Sequence, residues 1–230
     1  MTRTRHRRGF GAIALVALSI AAVIPGRSEA QAAPDRRAGA LLPDRLAPAT
    51  RVTIERLADS LSSERLPAYA LRDKAAEGAL KGADDGRILQ AVTSLAARLR
   101  ESRGLLGAGA RDDELIASAS ALYAGVPNRG IARLADAQRQ RNARGNARGS
   151  SGTYGSLSVP LMVLAELASS RVPSDLALAS VDALLARGAR DVDFGAFRLS
   201  VERDIRQGRS PKDAVSTGMQ STLRGIGRTP

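Results

Sequence analysis

The chain has 230 residues, a net charge of +12, no cysteine, no tryptophan and a single histidine, His6. Beyond its first residues it therefore lacks disulfides, cysteine- or histidine-based metal clusters and imidazole or thiol catalysis. No cofactor and no metal is expected, and stability must come from a packed core, for which this length suffices.

Residues 1–30 read as a secretory signal. Arg3, Arg5, Arg7 and Arg8 form a basic start, and an apolar run from Phe10 to Ile24 ends at Pro25-Gly26. Small residues then offer cleavage after Ala30 or after Ala32. The apolar run is shorter than the roughly 20 residues that span a bilayer, so no membrane span is expected after cleavage. Arg7-Arg8-Gly9-Phe10 resembles a twin-arginine signal but lacks its flanking residues, and the general secretory route is favoured. These features predict a bacterial protein that is periplasmic or secreted. Removing five arginines and one glutamate with the signal lowers the charge from +12 to +8.

Residues 31–49 carry Pro34, Pro43 and Pro48 among arginines and alanines and read as a flexible arm. From 50 to 223 one unit recurs: an apolar-striped helix, a glycine or short turn, then a polar or proline helix start. Leu80-Lys81-Gly82-Ala83, Leu122 to Pro127, Leu167 to Pro173, Leu185 to Ala189 and Ile205 to Gly208 align as its corners, with Leu61 to Pro67 the weakest member. Glycine at a helix end adopts the left-handed conformation without a Cβ penalty. Asn128, Ser174 and Ser210 are suited to cap the helices that follow.

The apolar spacing is helical throughout. Ile54, Leu57 and Leu61, then Ile88, Val92, Leu95 and Leu99, then Phe194, Phe197, Val201 and Ile205 each step by three or four. The predicted helices run over 50–63, 67–81, 84–101, 111–124, 128–141, 159–170, 174–187, 193–207 and 210–223, with a frayed tail over 224–230. The fold class is all-α, a bundle or short solenoid of eight or nine antiparallel amphipathic helices. Tyr69, Tyr123, Phe194 and Phe197 fall on or near the stripes and are expected in the core. Residues 142–157 are Gly, Ser, Asn and Arg with almost nothing to bury, and predict a disordered loop between two helix groups.

Candidate chemistry is sparse. Arg139, Arg141, Arg144 and Arg148 form a cationic series suited to an anionic partner through guanidinium forks. Such a partner would be an envelope protein or an anionic envelope polymer. Nucleic acid is not expected, because stacking aromatics are missing and export removes the chain from it. Asp84-Asp85, Asp112-Asp113-Glu114 and Asp191/Asp193 sit at predicted helix starts, where carboxylates stabilise the dipole. Their spacing is not that of a calcium loop. Glu77, Glu166 and Glu202 are candidate carboxylates for sugar hydrolysis, which needs only two such groups. No serine precedes Lys74, Lys81 or Lys212 by three residues, and no phosphate-cradling glycine loop is present. The expectation is a non-enzymatic binding module of the envelope. The alternatives are a carboxylate-dependent cell-wall hydrolase, or a carrier of an apolar or anionic small molecule.

Overall fold

The computed structural model describes residues 41–147 and 155–226, and these hold nine α-helices and no strand. In chain order they are α1 (Pro48–Ser63), α2 (Tyr69–Leu80), α3 (Asp85–Leu106), α4 (Asp112–Tyr123), α5 (Asn128–Ala147), α6 (Ser158–Ser169), α7 (Ser174–Ala186), α8 (Asp191–Arg206) and α9 (Pro211–Ile226). The protein is an all-α bundle. The signal assigned to residues 1–30 lies outside the described residues.

Six corners share one hydrogen-bond pattern, in which two reversed N–H groups close the last helical turn. At the end of α4, Val126 N–H donates to the Ala121 carbonyl and Gly125 N–H to that of Leu122, each at 3.0 Å. Gly82, Gly188 and Gly208 repeat it with φ of 74°, 71° and 87°. The other two corners place Arg65 (φ 57°) and Arg171 (φ 63°) where glycine would be unstrained. Those corners return α1 into α2 and α6 into α7, and Leu66 and Val172 drop into the core just beyond them. At the start of α9, Ser210 Oγ accepts from Asp213 N–H at 3.2 Å. The other two serine or asparagine caps read from sequence do not form. Pro173 occupies the cap position of α7, and the Asn128 amide donates to Glu101.

Packing centres on α4, which lies against α3 on one side and, most extensively, α6 on the other. Ala117, Ser118, Ala119 and Ala121 are buried there, so small side chains let a helix be covered on several faces. α2 packs on α1 and α3, α5 on α3, α7 on α6 and α9, and α8 on α6 and α9. Phe194 and Phe197 are the largest fully buried side chains. Burying such a side chain contributes roughly 1.5–3 kcal/mol. A Cβ on Gly218 would stand 3.0 Å from Val201 Cγ2, so α9 lies hard against α8.

Several boundaries and placements differ from the sequence reading. The end of the arm assigned to 31–49 is packed: Leu46 is 1% exposed, and Ala47 N–H donates to Asp85 Oδ2 at 2.9 Å. The predicted disordered loop over 142–157 begins too early and ends too late. Residues 142–147 continue α5, and Leu157 is buried, its N–H held by Glu114; residues 148–154 lie outside the described residues. The tail assigned to 224–230 begins too early, because α9 continues to Ile226, which packs against the core with Leu223; residues 227–230 lie outside the described residues. Tyr123 is not a core residue. It is 76% exposed, with the Arg98 guanidinium 4.7 Å from its ring centre.

Candidate anion-binding grooves

α5 is the most arginine-rich stretch of the bundle, with Arg129, Arg133, Arg139, Arg141 and Arg144 against one acid, Asp136. Its polar composition leaves a narrow apolar side, Ile131, Leu134 and Ala135, to hold it on the bundle. It approaches α7 closely at Gly130, where a Cβ would stand 2.4 Å from Leu178 Cδ1. Arg129 and Arg133 lie one turn apart on one flank of the helix, and Arg141, about 18 Å along the axis from Arg129, is rotated by about 120° from it. Two open grooves lie along the helix. One, of about 490 Å³, is lined by Arg129, Gly130 and Arg133 of α5 and by Asp175, Leu178 and Ala179 of α7. The other, of about 550 Å³, is lined by Gln138 and Arg141, by Pro160 of α6, and by the α7–α8 corner with Val192 and Phe194. Residue numbers rise in the same direction on both helices, so α5 and α7 run in the same sense along this seam.

The arginine series splits by face. Arg139 turns to α3, donating to the Leu106 carbonyl at 3.0 Å and pairing with Asp136, so it closes the end of α3. Arg141, two residues on, projects to the opposite side. Its Nε and Nη2 donate to Gln138 Oε1 at 3.2 and 3.0 Å. Gln138 is itself buried and donates to the Gly155 carbonyl at 3.1 Å, so the guanidinium is held by an amide that is already fixed. Burial pulls the Arg141 guanidinium below the usual arginine range, with the Asp182 carboxylate opposing that shift. Among the described residues no carboxylate comes within ion-pair distance of Arg129, Arg133 or Arg141. Arg144 is within the helical backbone of α5, and Arg148 lies outside the described residues. Gln138, Arg129 and Arg133 were not singled out from sequence, although the four-residue step from 129 to 133 on a predicted helix was readable.

The candidate catalytic carboxylates are engaged elsewhere. Glu77 bridges Lys74 and Lys81. Glu166 accepts from Arg198 at 3.1 Å, and the same guanidinium lies 3.8 Å from Glu202, which also faces Arg206. Burial pushes the Glu166 carboxyl above the usual range, Arg198 only partly restoring it. Each groove has one carboxylate, Asp191 or Asp175, rather than a pair. The acidic clusters sit at helix starts: Asp84 accepts from Arg87 N–H at 2.9 Å, Glu114 from Arg111 N–H at 3.1 Å and Asp193 from Arg190 N–H at 2.8 Å. Among the described residues no group of three His, Cys, Asp or Glu could hold a metal ion, and no helix is long and apolar enough to cross a membrane.

No protein family, no curated protein and no solved structure matches this chain. The fold and the site thus define a class by physical description alone: an all-α bundle with arginine-lined grooves along one seam.

Proposed function

We propose that this chain is an exported bacterial envelope module that works by binding, and that its ligand is an anionic envelope component taken up along the α5–α7 seam. The observation that carries this reading is the set Arg129, Arg133 and Arg141, which lines two open grooves without a carboxylate within ion-pair reach among the described residues. A guanidinium stays charged at any physiological pH, and forks of this kind favour carboxylate and phosphate oxygens. The basic, apolar and small-residue order of residues 1–30 supports export. The ion pairs that occupy Glu77, Glu166 and Glu202 favour binding over hydrolysis.

Inorganic polyphosphate serves as a generic anionic probe. The exported protein binds it with an affinity that falls as salt rises, and replacing the three arginines together by glutamine weakens binding at least tenfold. Equal binding by the two proteins refutes the reading. Intact mass of material recovered from the export compartment should begin at Gln31 or Ala33; retention of Met1 refutes the signal.

A further inference from the structure

We infer that the groove at the Arg141 end of the seam is a site for a small amphiphilic carboxylate, such as a medium-chain fatty acid. This rests on the proposal that the seam takes anions and narrows it to one ligand class. The groove, of about 550 Å³, falls in the usual size range of small-molecule sites. Its two kinds of wall divide the work. Arg141 supplies the cation, half-buried, aimed by the buried Gln138 amide, and outside ion-pair distance of any carboxylate among the described residues, with Asp182 acting on it from farther off. A partly buried guanidinium without a carboxylate is a costly arrangement that a bound anion relieves.

Part of the remaining wall is apolar, beside the polar Ser156, Arg190 and Asp191. Pro160 and Phe194 form its buried floor, Leu185 is half-buried, and Val192 stands 68% exposed at the rim. Leu199, 53% exposed and seven residues along α8, lies on the same helix face as Val192. A purely polar anion would leave this wall wet, whereas a hydrocarbon body covers it. Arg190 and Asp191 also line the groove; Arg190 is paired with Asp193 at 3.6 Å, and the negative charge of Asp191 disfavours a doubly charged headgroup. One negative charge on an apolar body satisfies all three features.

Calorimetric titration of the exported protein with decanoate below its micelle concentration tests this. Decanoate binds with one-to-one stoichiometry, and acetate and decanol each bind at least tenfold more weakly. Arg141→Gln weakens decanoate binding at least tenfold, while Arg129→Gln, in the other groove, leaves it within twofold. Val192→Asp, at an exposed position that does not challenge folding, also weakens it at least tenfold. Decanol matching decanoate overturns the role of Arg141, and acetate matching it overturns the apolar wall. No decanoate binding, with arginine-dependent polyphosphate binding intact, overturns this inference and leaves the broader proposal standing. Failure of both probes overturns both.

Discussion

Glu114→Ala is expected to be the most damaging single change at the surface of this bundle, because one carboxylate joins two separate pieces of chain. Its Oε2 accepts from Arg111 N–H at 3.1 Å and closes the first turn of α4. Its Oε1 accepts from Leu157 N–H at 2.9 Å and from Ser156 Oγ at 3.1 Å, docking the chain that leads into α6. Loss of a helix-start hydrogen bond costs about 1 kcal/mol. Hydrogen bonds to a charged acceptor are worth about 1.5–3 kcal/mol each when buried, and less here because the site is only part-buried. Together these give about 2–4 kcal/mol, or a fall in Tm of roughly 5–15 °C for a domain of this size. Urea and thermal unfolding followed by far-ultraviolet circular dichroism measure it. Glu114→Gln keeps one acceptor oxygen and should lose about half as much. Combining either change with Ser156→Ala should show a coupling above about 0.5 kcal/mol, as expected for groups in direct contact. A loss below about 0.5 kcal/mol for Glu114→Ala would refute the tether.

Three further outcomes follow from the geometry. A Cβ on Gly125 meets no atom within 4 Å, so the strain of φ 87° gives Gly125→Val a cost of about 1–2 kcal/mol, while Arg171→Gly at φ 63° should stabilise by about 0.5–1 kcal/mol; unfolding curves that move in the opposite directions would reject the shared corner. Gly130→Ala improves helix propensity yet forces a Cβ to 2.4 Å from Leu178, and should lower Tm; a rise would show that α5 and α7 can part freely. Burial raises Glu166 above its unfolded value, so the folded state holds that proton more tightly, and the contribution is fully present below about pH 4 and lost as pH rises through the raised value. Glu166→Gln has no such loss, so its unfolding free energy should gain on wild type as pH rises above about 4; a gap widening in favour of wild type would contradict this.

The helices were legible because their signals are local. Apolar steps of three and four mark the faces, and glycine marks four of the six shared corners. The corners at Arg65 and Arg171 were harder to read, since hydrogen bonding and the apolar residue beyond hold an arginine in a conformation its side chain does not favour. Leu105 and Leu106 carry α3 past the end read at 101, and residues 142–147 carry α5 past 141. Composition alone had assigned that stretch of α5 to the loop. Composition also places Leu157 in the loop, whereas its N–H is held by Glu114, distant in sequence, and no local pattern reports such a partner.

The site was legible in charge but not in grouping. Along the chain, Arg139 and Arg141 are neighbours; around a helix they point to opposite sides, one to close α3 and the other into a groove. Arg129 and Arg133, distant from Arg141 in sequence, line a second groove along the same partner helix, α7. What turns those arginines into a candidate site is the neighbouring helix: α7 comes within reach at Gly130, inside one groove, and the second groove opens farther along the same two helices. A glycine that weakens α5 as an isolated helix is therefore what leaves room for the Leu178 side chain of α7 against it. The same contact links the stability of the bundle to the spacing of its arginines. A substitution that wedges α5 from α7 should alter anion binding even though it touches no cation.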